Sequence, residues 1–247
     1  YMTLDGWRIG GWLTVPRERP VRRVAVMGHG YGGRGEPDTA LPLVETAVLF
    51  PCAPGFNLSA RADTPDEAQA HVVHRIESRE GYILRPCVAA LWSAASVLQE
   101  LFPDADELFY LGNSFGGGLG ALALAWDERF TRAWLGLPTF GHQPIRLQCA
   151  CVGSGEAVRL YAQRHPAVID VLAYYDAAVA AQFIGIPVLV SPALFDPAVP
   201  PPGQFAVANG LKNKELFVRE AGHFEPAESL GEMRRFYQVL KRWFASD

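Results

Sequence analysis

The chain has 247 residues, of which 49% are hydrophobic, and a formal net charge of −4 at pH 7. A chain of this length can bury a full core, so we expect a single domain over residues 1–247. The slightly acidic sequence shows no basic stripe that would suggest nucleic-acid binding, and no apolar run approaches the length of a membrane span. We therefore expect neither a nucleic acid nor a membrane as a partner.

The cysteines give no sign of a metal site or a disulfide. The chain contains four of them: Cys52, Cys87, Cys149 and Cys151. Their spacing matches no zinc signature, and a Cys-x-Cys pair is awkward for a mutual disulfide. The first six residues lack the charged and apolar regions of a secretory signal, and the absence of Met at position 1 suggests a trimmed chain. We therefore expect free thiols and a cytoplasmic location.

Short apolar segments in the first half of the chain are typical of strands. Residues 3–15 alternate in polarity and predict one or two antiparallel edge strands, followed by a loop at 16–20. Residues 21–27 and 47–50 predict buried strands. The amphipathic pattern of residues 85–101, with a proline in its first turn, predicts a helix.

The second half continues this alternation. Four further strands are predicted at residues 107–111, 133–137, 186–191 and 214–219. Helices are predicted at residues 119–126, 170–183 and 229–244. The stretch 138–168 is rich in Pro and Gly, so we expect it to be irregular and to act as a cap or an oligomer contact. The pattern as a whole predicts an α/β fold with a mostly parallel central sheet, helices on both faces and an antiparallel N-terminal edge.

The segment Gly112-Asn113-Ser114-Phe115-Gly116 lies between a predicted strand and an Ala/Leu-rich helix. Strand, Gly-x-Ser-x-Gly and helix in this order form the nucleophile elbow of the α/β-hydrolase fold. The tight turn strains the serine backbone and lifts its hydroxyl above the sheet edge, and glycines keep the neighbouring residues small. The motif predicts Ser114 as a nucleophile.

A serine hydroxyl needs a histidine to accept its proton and a carboxylate to orient that histidine. In this fold the chain order is Ser, acid, His, each after a strand. Of six histidines, only His223 lies between the last predicted strand and the last helix. Asp196 is the only carboxylate in the loop after strand 186–191. Asp170 and Asp176 fall on the preceding predicted helix, and we interpret them as solvated charges.

The loop His29-Gly30-Tyr31-Gly32-Gly33 follows an early strand, where the fold takes one oxyanion donor. We predict the backbone N–H groups of Tyr31 and Phe115 as the two donors. The pattern Gly28-x-Gly30-x-x-Gly33 also fits a dinucleotide fingerprint. That alternative needs an acidic residue at the end of the next strand, where Phe50-Pro51-Cys52 stands, so we expect no nicotinamide cofactor.

A metal site is not expected either. His71 and His74 stand three residues apart on a predicted helix, but no acidic ligand pattern surrounds them. A solvated or half-buried helix face is the simpler interpretation. The predicted chemistry requires no metal and no organic cofactor.

With these residues placed, the chain resembles the acetyl xylan esterase and cephalosporin-C deacetylase family of carbohydrate esterases. The resemblance covers residues 3–244 and rests on the segments LDGWRIGGWL, HGYGGRG, GNSFGG, FDPAVPPPGQFAVAN and AGHFE. It implies Ser114, His223 and Asp196 as the catalytic triad and the same two oxyanion donors. It also implies a serine carboxylesterase that removes small acyl groups, chiefly acetyl, from sugars and related alcohols.

The chain departs from the family pattern at the residue after the nucleophile. The family usually has Gln there, and Phe115 is expected to make the pocket wall more apolar. Family members assemble as rings of six, so the resemblance implies a homo-oligomer. Two alternatives stay open: a serine peptidase or thioesterase on the same scaffold, and a hydrolase-like binding protein without catalysis.

Overall fold

The computed structural model describes residues 1–17, 20–224 and 230–245. Nine strands lie within these ranges: β1 (Gly11–Thr14), β2 (Arg23–Gly28), β3 (Thr46–Pro51), β4 (Glu107–Asn113), β5 (Arg132–Gly136), β6 (Val188–Ser191), β7 (Ala193–Phe195), β8 (Lys214–Leu216) and β9 (Arg219–Ala221). The α-helices in them are α1 (Ala68–His71), α2 (Leu84–Leu101), α3 (Phe115–Leu124), α4 (Gln143–Arg146), α5 (Gly155–Arg164), α6 (Val168–Leu172), α7 (Ala177–Ala181), α8 (Pro201–Gly210) and α9 (Leu230–Trp243). Residue 229 of the predicted closing helix and residues 18–19 of the predicted loop lie outside the described ranges.

Seven of the strands form one sheet in the order β1-β3-β2-β4-β5-β6-β8. Strand β1 pairs with β3 in the antiparallel sense, and the other five pairings are parallel. The predicted α/β-hydrolase sheet with an antiparallel N-terminal edge is therefore confirmed. Of the predicted edge segment 3–15, only β1 joins this sheet, and Met2 and Arg8 form an isolated bridge.

The sheet is covered on both faces because its strands alternate apolar side chains between two cores. In β2, Val24 and Val26 belong to the core under α2 and α3, whereas Ala25 and Met27 belong to the core under α9. Successive side chains of a strand point to opposite faces of the sheet. Because both faces are buried here, the sequences of such strands are continuous apolar runs. No helix among the described residues is long and apolar enough to span a membrane.

The predicted helix 170–183 is wrong as a continuous element. The chain forms α6, a 3₁₀ turn at Ala173–Tyr175 and then α7, with the break at Asp176. Apolar periodicity runs across this break, but the Asp176 side chain caps α7 by accepting from Ala178 N and Val179 N. The capping preference of Asp outweighs continuation of the helix.

The interpretation of Asp176 as a solvated charge is also wrong, since only 6% of the residue is exposed. Its carboxylate accepts hydrogen bonds from the backbone of His142 at 2.9 Å and of Gln143 at 2.7 Å, at the start of α4. One buried carboxylate therefore joins the N-termini of α4 and α7. Asp170, by contrast, is exposed on α6.

The stretch 138–168 is less irregular than its Pro and Gly content predicts. It contains α4 and the ten-residue α5, whose buried side is narrow and consists of Val158 and Ala162. An ion pair between Glu156 and Arg159 supports the first turns of α5. A buried stripe of two apolar residues, preceded by glycines, is too short to stand out as a periodic pattern.

The predicted strand 214–219 divides between two sheets. Residues 214–216 form β8 at the edge of the main sheet, and residues 219–221 form β9, which pairs with β7 in a separate two-stranded parallel sheet. The helix α8 was missing from the prediction. It begins in a run of prolines and follows β7 and precedes β8 along the chain. Proline is well suited to the first turn of a helix, where its missing N–H removes no intrahelical bond.

Asp176→Ala should lower the free energy of unfolding by about 2–4 kcal/mol, because four backbone N–H groups would lose a buried acceptor. Denaturant unfolding monitored by circular dichroism measures the change. The matched control is Asp170→Ala, which should change stability by less than about 0.5 kcal/mol. Equal effects of the two substitutions would contradict the anchoring role of Asp176.

Candidate active site

Ser114 occupies the turn between β4 and α3 with φ 56° and ψ −114°, a strained conformation for a residue other than glycine. Its N–H donates to the carbonyl of Gly136 on β5 at 2.8 Å, which ties the turn to the sheet. A Cβ atom on Gly116 would lie 2.9 Å from the backbone of Gly28, so glycine permits α3 to approach β2 this closely. The turn has the geometry of a nucleophile elbow.

Asp196 and His223 come together because β7 and β9 lie side by side in the parallel sense. Phe195 pairs with Ala221, so the chain leaves both strands at the same edge of the small sheet. Gly222 N donates to Phe195 O at 2.8 Å and continues this pairing one residue further. Asp196 and His223 follow directly.

The three predicted triad residues form one chain of hydrogen bonds. His223 Nδ1 lies 2.7 Å from Asp196 Oδ2, and His223 Nε2 lies 2.7 Å from Ser114 Oγ. In the neutral tautomer that fits both contacts, Nδ1–H donates to the carboxylate and Nε2 accepts from the serine hydroxyl. This arrangement can withdraw a proton from the serine and hold the resulting imidazolium beside a carboxylate.

The Asp196 carboxylate is held as an anion although only 3% of the residue is exposed. Burial acts to raise its pKa, but hydrogen bonds from His223 and from the backbone N–H groups of Val199 and Ala198 outweigh burial and hold the pKa below its usual range. The two backbone contacts, at 2.9 and 3.0 Å, both reach Oδ1. Oδ2 is left to face the histidine.

Gln204 is a supporting residue that the sequence reasoning missed. It is fully buried on α8, and its Nε2 donates to Asp196 Oδ2 at 3.0 Å and to Val199 O at 2.6 Å. Its Oε1 accepts from Ala193 N at 2.9 Å, at the start of β7. The available signal was its position three and four residues before Val207 and Ala208, on the buried face of α8.

The structure places the two predicted oxyanion donors beside Ser114. Phe115 is the first residue of α3, where backbone N–H groups have no intrahelical acceptor. Tyr31 lies in a turn closed by a hydrogen bond from Gly33 N to Gly30 O at 3.1 Å. A Cβ atom on Gly30 would lie 3.9 Å from Ser114 Cβ, so this loop passes next to the serine.

His29 holds the loop of residues 29–33, which carries the predicted donor Tyr31, in place. Its Nδ1 contacts Gly30 O at 2.7 Å, and its Nε2 accepts a hydrogen bond from Ala53 N at 2.8 Å. Because the carbonyl can only accept, the proton resides on Nδ1 and the ring is neutral. Burial lowers the pKa of His29 to about 4.

The expectation that Phe115 makes the pocket wall more apolar is wrong. Its ring is fully buried behind Tyr31, with the two rings stacked at a centroid distance of 4.0 Å, and it does not line the cavity beside Ser114. The cavity instead meets Tyr31. Phe115 is enclosed by an aromatic cluster that also includes Phe56 and His71.

The expected solvated or half-buried position of His71 is likewise wrong. Helix α1 is a single turn that ends at His71, and the imidazole is completely buried in the aromatic cluster. Its Nε2–H donates to Pro54 O at 2.9 Å, and burial lowers its pKa to about 4. In the part of the chain that the structure describes, no group of three or more His, Cys, Asp or Glu residues could hold a metal.

A cavity of about 460 Å³ opens at the predicted triad, and Ser114 and His223 lie in its wall. Residues 30–32, 138–141 and 153–155 also line it, so part of the stretch 138–168 forms the cavity. A volume of this order suits a small molecule.

The covered parallel sheet, the strained serine turn and the hydrogen-bonded Ser–His–Asp chain define an α/β-hydrolase. The family described as acetyl xylan esterase (AXE1) matches residues 1–241, and the chain belongs to this family. Membership places it among the carboxylic ester hydrolases of the serine α/β-hydrolase type. The predicted family resemblance is confirmed.

Solved structures show the same fold. An acetyl xylan esterase from a Paenibacillus species is 24% identical, with a TM-score of 0.83 over 97% of this chain and 82% of that chain. Acetyl xylan esterase 1 from a Thermoanaerobacterium species is 18% identical, with a TM-score of 0.81 over 99% and 82%. An acylaminoacyl peptidase from Pyrococcus horikoshii is 15% identical, with a TM-score of 0.68 over 96% of this chain and 39% of that chain.

The buried histidines should make stability depend on pH. Because the folded pKa of His29 and of His71 is about 4, the unfolded chain takes up protons below about pH 6.5 that the folded chain does not. Each group should therefore lower the free energy of unfolding by up to about 1.4 kcal/mol per pH unit as the pH falls from 6.5 towards 4. Denaturant unfolding at pH 7, 6 and 5 measures this slope.

His71→Gln removes one titrating group and should flatten the slope. The exposed His165 offers the control, since His165→Gln should keep the slope of the unmodified protein. A slope unchanged by His71→Gln would show that the buried imidazole does not govern the acid sensitivity.

Proposed function

We propose that the protein is a serine esterase that removes small acyl groups, chiefly acetyl, from sugars or related alcohols. Ser114 is the nucleophile, His223 the general base and Asp196 the orienting acid. The observation that carries this proposal is the pair of 2.7 Å contacts that link the serine, the histidine and the buried carboxylate at the wall of one cavity.

In the first half of the reaction, His223 Nε2 accepts the hydroxyl proton of Ser114 while Oγ attacks the ester carbonyl carbon. The negative charge that develops on the carbonyl oxygen is stabilised by the N–H groups of Tyr31 and Phe115. The intermediate collapses to an acyl-enzyme as the alcohol leaves with the proton from His223. Asp196 stays ionised and stabilises the imidazolium throughout.

The second half repeats these steps with water. His223 takes a proton from the water molecule, the hydroxide attacks the acyl carbon, and the same oxyanion donors stabilise the charge. The proton then returns to Ser114 Oγ as the C–O bond to the serine breaks. The products are a free carboxylic acid and the unmodified enzyme, with no metal or organic cofactor involved.

Family membership supports an ester as the substrate, and the names of the two bacterial structures favour an acetylated sugar. A serine peptidase or thioesterase remains the alternative within the fold, because the Pyrococcus horikoshii peptidase shares the scaffold. A binding protein without catalysis has no use for a complete triad. A homo-oligomer and a cytoplasmic location stay predictions.

Hydrolysis of 4-nitrophenyl esters from acetyl to octanoyl tests the acyl preference and the nucleophile together. The rate should be highest for acetyl and fall with chain length, and Ser114→Ala should reduce turnover by several orders of magnitude, on the order of 10⁶-fold in the strongest case. Asp196→Asn should fold normally and lose most activity, because the histidine would be held in the wrong tautomer.

The outcomes separate the alternatives. A flat or rising profile with chain length would retain a serine esterase and remove the deacetylase assignment. Faster cleavage of matched amide or thioester substrates would favour the peptidase or thioesterase. Near-normal activity of Ser114→Ala would contradict the proposed nucleophile.

Gln204 should affect catalysis by fixing the position of the Asp196 carboxylate. Gln204→Met removes the donor to Asp196 Oδ2 and to Val199 O, so the carboxylate loses part of the contact that fixes its position. The histidine is then oriented less well, and kcat should fall by about tenfold or more while KM changes little.

The control for this experiment is Asn209→Met, an exposed residue of the same helix α8. It should leave kcat and KM unchanged. An unchanged kcat for Gln204→Met would contradict the proposed positioning role of Gln204.

A further inference from the structure

Arg146 carries a positive charge in a buried position. It is the last residue of α4, only 8% of it is exposed, and it lines the same cavity as Ser114. Its Nη1 donates to Gln143 Oε1 at 3.1 Å, and its guanidinium lies 5.5 Å from the centre of the Phe140 ring. It forms no ion pair with any described residue, and Nη2 has no hydrogen-bond partner among them.

Such a position is unfavourable unless something compensates the charge. Moving a guanidinium out of water has a large free-energy cost, and arginine does not release its proton in proteins. Burial lowers the pKa of Arg146, which reflects this cost. The charge of Asp176 acts to raise the pKa of Arg146 but does not outweigh burial, and its carboxylate is already committed to backbone N–H groups of α4 and α7. The described residues therefore supply no carboxylate paired with Arg146.

The composition of the cavity wall points to the missing partner. Among the described residues that line the cavity, Arg146 is the only permanently charged side chain, and none is Asp or Glu. Tyr31 lines the same cavity, and its buried hydroxyl also lacks a hydrogen-bond partner. Residues of this wall thus carry a positive charge and an unpaired hydroxyl.

We propose that Arg146 is a specificity-determining residue that binds a carboxylate carried by the ester substrate. The planar guanidinium can donate two parallel hydrogen bonds to a carboxylate, a match that a neutral hydroxyl does not offer. The carboxylate belongs to either the acyl or the alcohol part of the ester. This inference rests on the proposed esterase function and adds a charge preference to it.

Two pairs of esters with matched shape test the preference. On the alcohol side, 4-acetoxybenzoate is compared with neutral 4-acetoxybenzamide. On the acyl side, 4-nitrophenyl hydrogen glutarate is compared with the neutral 4-nitrophenyl ester of glutaric acid monoamide, after subtraction of the rate without enzyme. In one of the two arms, kcat/KM should favour the anionic ester by about tenfold or more, and that arm identifies the part that carries the carboxylate.

Arg146→Met should lower this anionic-to-neutral ratio by about tenfold, and Arg146→Lys, which keeps the charge without the planar fork, should give an intermediate ratio. Arg159→Met on α5 is the matched control, because Arg159 pairs with Glu156 and does not line the cavity. It should keep the ratio of the unmodified protein. An equal ratio in the unmodified protein and in both Arg146 variants would overturn the proposal.

Binding to an inactive protein makes the test independent of catalysis. In the Ser114→Ala protein, calorimetry should show tighter binding of 4-hydroxybenzoate than of 4-hydroxybenzamide, or of glutarate than of its monoamide, and Arg146→Met should remove the difference. If neither ester of either pair is hydrolysed, the proposed esterase function fails, while this binding result still decides the role of Arg146. Equal binding of acid and amide in both pairs would refute the carboxylate site.

Discussion

The parallel pairing of β7 with β9 is the contact on which the candidate site depends. Each strand has three residues, yet their register sets where the chain turns into Asp196 and into His223. A Cβ atom on Gly222 would collide with the Asp196 carboxylate, so glycine at this position lets the two loops approach within hydrogen-bonding distance. Ser114, on the main sheet, then needs only its strained turn to meet the histidine.

An aromatic cluster packs against the loop of residues 29–33 and keeps water away from its buried side. Tyr31 stacks on Phe115, and Phe56 and His71 pack around them. Because protein interiors are close-packed, such a cluster resists displacement of the loop above it. The loop thereby keeps its backbone N–H groups in a fixed direction, as the proposed role of Tyr31 as an oxyanion donor requires.

Much of this arrangement could be predicted from the sequence because it follows from local rules. Buried parallel strands appear as apolar runs, and the elbow motif carries its own geometry, so the sheet and the place of Ser114 were accessible. Asp196 was found by elimination, since its loop holds no other carboxylate. These features depend on neighbours in sequence or on chain order alone.

The elements that escaped prediction depend on partners distant in sequence. Asp176 lies in a segment whose apolar periodicity is typical of one continuous helix, and only its contacts with His142 and Gln143 reveal a buried cap. Strand β9 is three residues long and is defined by β7, more than twenty residues earlier in the chain. The local sequence predicts a solvated or half-buried position for His71, whereas in the fold the aromatic rings of three other segments surround it. Such interactions arise from tertiary packing and override local pattern.

The anchoring of α4 through Asp176 separates two properties of the molecule. A helix of four residues has little stability of its own, so the position of its last residue, Arg146, is set by the buried carboxylate at its other end. The proposed nucleophile and base follow different elements, β4 and β9. The side chain at position 146 can therefore be exchanged through evolution or engineering while Ser114 and His223 keep their places, so that this short helix can change what the cavity admits without altering the proposed triad.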